Sequence, residues 1–294
     1  LTSPPASSPP SAQLSIPDAL ALAYQHWNAG QADQAEQLCQ RVLAVWPGQA
    51  DALQLMGIMA HAYGNLDLAI THLRQACLAP RTPATHFSNL AEMCRQKGLL
   101  AEAEQAGQRA VALDPNLVAA WNNLGIILQE SGKLDASLQC LARVVALQPD
   151  GAVAHNNLAN TYRRLGRLEP ADAHYRKAIA LNPGYAEAYS NLAFLLSSQG
   201  QFDAAAAAAR HAIELNPRLA DAYLNLAEIE SARLRNHEAM RWLDALLSFA
   251  PQHAAGLAAR AQVLRKMDRL EEALACAHQA LACAQQALAL APHT

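Results

Sequence analysis

A spacing of 34 residues governs this chain. Pro47, Pro115, Pro149, Pro183, Pro217 and Pro251 fall on one ladder of that step, and Pro80 misses its rung by one residue. Gly30, Gly64, Gly98, Gly132, Gly166 and Gly200 form a second, independent ladder of the same step. Agreement between the two marks a repeat array, whose units pack on their sequence neighbours and grow in one dimension. The 294 residues would ordinarily suggest two globular domains or one large one, and a repeat array escapes that arithmetic. The units run 16–49, 50–83, 84–117, 118–151, 152–185, 186–219, 220–253 and 254–287. Residues 1–15, rich in Pro and Ser, read as a disordered leader, and 288–294 as the end of an extended last helix and its tail.

Each unit reads as two antiparallel helices. In 118–151 the apolar or small positions Trp121, Leu124, Gly125 and Leu128 trace one helical stripe, and Leu134, Ser137, Leu138, Leu141, Val144, Val145 and Leu147 trace a second. In 152–185, Gly166 ends the first helix by taking a left-handed conformation, and Asn182-Pro183 ends the second. An acidic residue opens the second helix at Asp33, Asp67, Asp135, Glu169, Asp203 and Glu271, where it meets the positive end of the helix dipole. Ala171, Ala205, Ala239 and Ala273 recur where facing helices approach closely. A lone hairpin leaves one apolar face wet, so stability has to come from stacking. The expected fold is all-α, an α-solenoid of about eight helix-turn-helix units.

Composition removes several functions. A net charge of −3 provides no field for a polyanion, so nucleic acid is not an expected partner. Six Cys without a CxxC pair suit single thiols in a reducing, cytoplasmic setting better than a disulfide or zinc framework. The leader has neither the basic start nor the apolar middle of a signal peptide, and the missing initiator Met suggests a processed chain or a fragment. Ala273–Thr294 has no Asp, Glu, Lys or Arg, yet Gln279, Gln285, Gln286 and two His make it too weakly apolar for membrane insertion. It reads as a prolonged last helix stopped by Pro292, and its apolar character anticipates a further domain or a partner beyond Thr294. There is no HExxH, His/Cys cluster, phosphate loop or nucleophile elbow, and His72 and His174 lie three units apart. No cofactor, metal or catalytic residue is expected.

The repeated residues name a family. Trp121-Leu124-Gly125, His155-Leu158-Ala159-Tyr162-Ala171-Tyr175-Ala178-Pro183 and Tyr189-Leu192-Ala193-Ala205-Ala212-Pro217 resemble the tetratricopeptide repeat, over residues 16–287. Departures are Ala19 and Leu53 at the aromatic position, Leu234 in place of the turn Gly, Arg260 in place of Leu and Gln285 in place of Pro. The resemblance implies a right-handed superhelix with the first helix of each unit on its concave side.

The sixth position of five consecutive units is Asn: Asn89, Asn123, Asn157, Asn191 and Asn225. A carboxamide pairs a donor with an acceptor and so matches a peptide backbone without reading side chains. Such a row, joined by Asn122, Asn156 and Asn160, is expected to hold an extended peptide or protein; the competing reading has each amide satisfy a neighbouring backbone or cap group. In its NLA and NNL contexts the row resembles the superhelix of O-linked N-acetylglucosamine transferases, which implies a substrate arm for a catalytic domain outside this chain. Arg163 and Arg164 are expected to meet acidic side chains of a guest, or simply to suit a helix end. The carboxylate clamp that grips chaperone tails is not matched, since Asn156, Asn160, Asn191 and Asp221 stand where cations belong. Trp27, Trp46 and Trp242 lie off the core aromatic position and suggest contact patches or packing between units. A scaffold that uses convex and terminal surfaces is the alternative function.

Overall fold

The computed structural model describes residues 14–290, with side chains as far as Gln286. The leader through Gln13 and the stop at Pro292 lie outside the described residues. Sixteen helices form eight hairpins among the described residues. They are α1 (Ile16–Asn28) with α2 (Ala32–Val45), α3 (Ala50–Ala62) with α4 (Leu66–Cys77), α5 (Ala84–Gln96) with α6 (Leu100–Leu113), and α7 (Val118–Glu130) with α8 (Leu134–Leu147). Then come α9 (Ala152–Arg164) with α10 (Leu168–Leu181), α11 (Ala186–Ser198) with α12 (Phe202–Leu215), α13 (Ala220–Ala232) with α14 (Asn236–Phe249), and α15 (Ala254–Lys266) with α16 (Leu270–Leu290).

The helices group into two compact units. One holds the residues up to Lys97 with Gln105–Pro115, and the other holds Gly98–Glu104 with the chain from Asn116 onward. In the second unit each first helix packs on the next first helix, α7 on α9, α9 on α11, α11 on α13 and α13 on α15. Among the described residues of that unit no such packing is seen between α8, α10, α12 and α14. The first helices therefore crowd together on the inner side of the stack and the second helices spread on its outer side.

The glycine ladder performs the turn. All six glycines have φ between 72° and 80°. Beyond each of Gly30, Gly64, Gly132, Gly166 and Gly200, the next N–H bonds a carbonyl five residues back, as Arg167 does to Tyr162 at 2.9 Å. The ladder continues without glycine: Leu234 at φ 62° and Asp268 at φ 61° take the same turn, with Arg235 bonding Glu230 and Arg269 bonding Leu264. Leu234 is thus a regular turn with an unfavourable residue.

The misplaced Pro80 has a structural cause. Its second helix, α4, stops at Cys77 after 12 residues, whereas the other second helices up to α14 run for 14. Arg81 then turns left-handed at φ 61°, and the buried Thr82 hydroxyl donates to the carbonyls of Ala79 (2.6 Å) and Ala76 (3.2 Å). Acidic first-turn residues of the second helices also reach the following hairpin. Lys97 pairs with Asp67 at 3.0 Å, Arg167 with Asp135 at 3.7 Å, and Arg233 with Asp203.

The cores are thin and rich in Ala. Ala35, Ala69, Ala171, Ala205 and Ala239 are fully buried between paired helices. Trp121 packs against the buried cluster of Leu141, Val144, Ala154 and Leu158. In the first hairpin Ala19 holds the equivalent place, and a cavity of about 310 Å³ opens there between Ile16, Leu38, Arg41, Val42 and Val45.

Candidate peptide-binding face

The inner side of the second unit is built from one stripe of each first helix, set by the 3–4 periodicity. It comprises Val153, Asn157 and Asn160 on α9; Glu187, Asn191 and Phe194 on α11; and Asp221, Asn225 and Glu228 on α13. Phe194 and Val153 are exposed large apolar residues. A recess of about 210 Å³ lies between α13 and α15, lined by Glu228, Ser231, Gln262 and Lys266 among others.

The asparagines of this stripe reach backward across the stack. Asn157 Nδ2 donates to Asn122 Oδ1 at 2.9 Å, and Asn191 Nδ2 to Asn156 Oδ1 at 3.0 Å. Asn225 Nδ2 donates to both the carbonyl and the hydroxyl oxygen of Ser190, each at 3.0 Å. In every case the acceptor sits 35 residues earlier, at the fifth position of the preceding repeat. A backbone carbonyl only accepts, so the contact with Ser190 fixes which way the Asn225 amide faces. Among the described residues the Oδ1 oxygens of Asn157, Asn191 and Asn225 have no hydrogen-bond partner, and they are not fully buried. Hence at least one N–H of each amide holds the stack together, and the oxygen of each is left for a guest. The expectation that one side chain offers both halves to a guest is narrowed accordingly.

The sequence carries this pairing, although a reading of single repeats passes over it. Where the sixth position is Asn, the fifth position one repeat earlier is polar: Gln54, Ser88, Asn122, Asn156 and Ser190. Where the sixth position is apolar, so is the earlier fifth. Leu55 shares a core with Leu20, and Ala259 shares one with Leu224.

The remaining expected residues divide by environment. Asn156 is buried at 4% exposure, donates to the Tyr185 hydroxyl at 3.3 Å and accepts from Asn191, so it cannot face a guest. Its removal from the contact set follows from its place under the ladder rather than on it. Asn122 is half-buried and accepts from Asn157; Asn160 is half-buried and accepts from the fully buried Tyr175 hydroxyl at 2.5 Å. Asn123 is half-buried on α7. Asn89, on α5 in the other unit, is half-buried and does not bond Gln54, whose Oε1 is buried without a partner.

The two arginines are taken up by the fold. The Arg163 guanidinium lies 4.8 Å from the centre of the Phe194 ring, a cation–π contact with the next hairpin. Arg164 Nη1 donates to the Gln129 carbonyl one repeat earlier at 2.5 Å. Glu187, Asp221 and Glu228 are exposed and have no ion-pair partner among the described residues. The inner stripe is therefore acidic where charge is left over.

His155 and His174 join α9 to α10. Their Nδ1 atoms are 2.8 Å apart, and His155 Nε2 lies 3.0 Å from the Pro149 carbonyl. Since the carbonyl needs a donor, His155 carries its proton on Nε2 and accepts at Nδ1 from His174. His174 also stacks on Tyr162, and burial followed by the nearness of His155 holds its pKa below the usual imidazole value. Trp27 and Trp242 pack half-buried against hairpin cores, while Trp46 is exposed beside a recess of about 830 Å³ with Leu78, Pro80 and Pro83. All six cysteines are free, and burial raises Cys39 and Cys140 to about 11. Among the described residues no His/Cys/Asp/Glu group is arranged to hold a metal, and no helix is long and apolar enough to cross a membrane.

Tetratricopeptide-repeat family profiles match residues 20–86, 116–183 and 174–207. A stretch of 84 residues is 33% identical to the probable biofilm formation methyltransferase WspC of Pseudomonas putida, covering 28% of this chain and 20% of that protein. Among solved structures, a tetratricopeptide repeat protein from Parabacteroides merdae superposes with a TM-score of 0.69 at 19% identity, over 80% of this chain and 93% of that one. PilF of Pseudomonas aeruginosa gives 0.63 at 18% identity, over 74% and 97%. The Cut9–Hcn1 hetero-tetramer structure gives 0.67 at 15% identity, over 90% of this chain and 52% of that one. These structural likenesses establish the fold.

Proposed function

Because the chain belongs to the tetratricopeptide-repeat family, whose members act as protein-interaction and scaffold modules, we propose that it binds an extended peptide or protein segment along the inner face of its first helices. The observation that carries this reading is the row of outward carbonyl oxygens on Asn157, Asn191 and Asn225, each anchored by its own NH2 group to the preceding repeat. Anchoring makes the acceptors rigid before a guest arrives, which lowers the ordering cost of each contact. Asn89 and Asn123 extend the same sequence pattern and are proposed contacts on that ground. Phe194 offers an apolar platform beside the row, and the unpaired Glu187, Asp221 and Glu228 favour a neutral or basic guest over an acidic one. A protein O-glycosyltransferase with its catalytic domain outside these 294 residues is the enzyme class that such an arm fits, on the resemblance of the asparagine row.

A second reading rests on the last helix. Leu270, Leu274 and Leu281 are exposed on α16, whereas Phe202, Ala206 and Ile213 at the same places two repeats earlier pack in a buried core shared with the following hairpin. That face suits end-on assembly with another helical element. Alanine at Asn157, Asn191 and Asn225 together separates the two readings. Selection from a display library of unstructured peptides enriches binders on the wild type and none on the triple variant if the groove is used. Equal enrichment, with unchanged helical circular dichroism, moves the function to the terminal surface.

A further inference from the structure

Building on the groove reading, we infer that the guest is held as a polyproline II helix, with one backbone N–H in every three residues donated to the asparagine row. Two features of the inner face lead there. The row offers an acceptor at every rung, because Asn157 and Asn191 each anchor an N–H, and Asn225 its NH2 group, to the preceding repeat while their Oδ1 atoms stay unbonded among the described residues. The guest must therefore supply N–H donors along one edge. The acceptors also recur once per hairpin, and the first helices that bear them, α9, α11 and α13, pack directly on one another. Directly packed helices lie roughly 8–10 Å apart, so the row presents an oxygen about every 10 Å.

Only one regular peptide conformation matches that interval. A β-strand rises about 3.3 Å per residue and directs N–H groups to the same edge every second residue, roughly every 7 Å, which falls out of step within one repeat. An α-helix has its N–H groups already bonded internally. A polyproline II helix rises about 3.1 Å with three residues per turn, so one edge repeats about every 9.3 Å, and its backbone makes no internal hydrogen bonds. Proline at the two intervening positions removes no donor that the row uses and fixes the guest in the bound shape in advance. Exposed Phe194, next to Asn191 on the same stripe, gives proline rings an aromatic surface to lie on. The substrate class is thus a proline-rich segment with a non-proline residue at every third place and no acidic run.

Synthetic peptides test this on the 294-residue chain by fluorescence anisotropy. The probes are a peptide of four Ala-Pro-Pro triplets, the same peptide with every alanine N-methylated, and a flexible Gly-Ser repeat of equal length. The Ala-Pro-Pro peptide binds, and N-methylation weakens it by at least about tenfold, the loss expected from three ordinary hydrogen bonds. The Gly-Ser peptide binds more weakly than the Ala-Pro-Pro peptide. Equal affinity for the methylated and unmethylated peptides overturns the inference without reliance on any protein variant. Gly-Ser binding as tight as Ala-Pro-Pro, lost in the Asn157→Ala/Asn191→Ala/Asn225→Ala chain, overturns polyproline II selection while the groove reading survives. Absence of binding by any probe sinks both.

Discussion

Leu234 shows how strongly the repeat imposes its backbone on whatever residue it receives. It holds φ at 62°, in the series of turn glycines, with its side chain 83% exposed. A left-handed leucine costs roughly 1–2 kcal/mol, and glycine returns part of that as unfolded-chain entropy. Leu234→Gly is therefore expected to stabilise the chain by about 0.5–1 kcal/mol in urea denaturation, since no buried contact is lost. The asparagine row makes the complementary point. Its positions were legible at the sixth place of five repeats, and its amide chemistry followed. Which way each amide faces was not, because one repeat read alone says nothing about the residue above it in the stack. The signal lay 35 residues back, where Asn122, Asn156 and Ser190 are polar and Leu20 and Leu224 are not.

At the scale of helices and hairpins, most of the architecture was written in the two ladders and the apolar stripes. The hairpin boundaries follow them closely, with Pro80 displaced because α4 ends early and Thr82 closes its C-terminus. The absent aromatic at Ala19 was visible as a departure, yet its consequence, an unfilled seat of about 310 Å³, needed the packing of Trp121 for comparison. Ala19→Leu places apolar volume in that seat and is expected to raise the unfolding midpoint, with a gain of about 0.5–2 kcal/mol typical of cavity filling. Three histidines whose pKa values are lowered by burial set a pH dependence. The pKa of His174 is lowered on folding, and those of His72 and His86 are lowered by burial. The unfolded chain then binds more protons as pH falls through the ordinary histidine value of 6.5, so stability is full above it and declines below. Thermal melts at pH 7.5 and 5.5 should show a lower midpoint at the acid pH. His174→Phe keeps a ring against Tyr162 and should shrink the difference; an unchanged difference would assign it to other groups.

For the molecule as a whole, the repeats build one continuous surface within the second unit. Each hairpin of the second unit is tied to the one before it by side-chain bonds on the inner edge and ion pairs near the turns, such as Lys133 with Glu104 at 2.7 Å. On the proposed groove reading this rigidity lets weak contacts add along the row, since three hydrogen bonds of about 0.5–1.5 kcal/mol each give useful affinity only if the acceptors need no ordering. The account turns on amides whose NH2 groups hold the stack while their oxygens receive a guest. Side-chain NMR of asparagine-labelled protein, before and after addition of the Ala-Pro-Pro peptide, addresses it directly. The Nδ2 protons that Asn157, Asn191 and Asn225 direct at the preceding repeat are expected to exchange slowly with solvent in both states, while the Cγ resonances shift on binding. Fast exchange in the free chain, or Nδ2 protons that become protected only with peptide, would show that the donors face the groove and would contradict the arrangement described for the ladder.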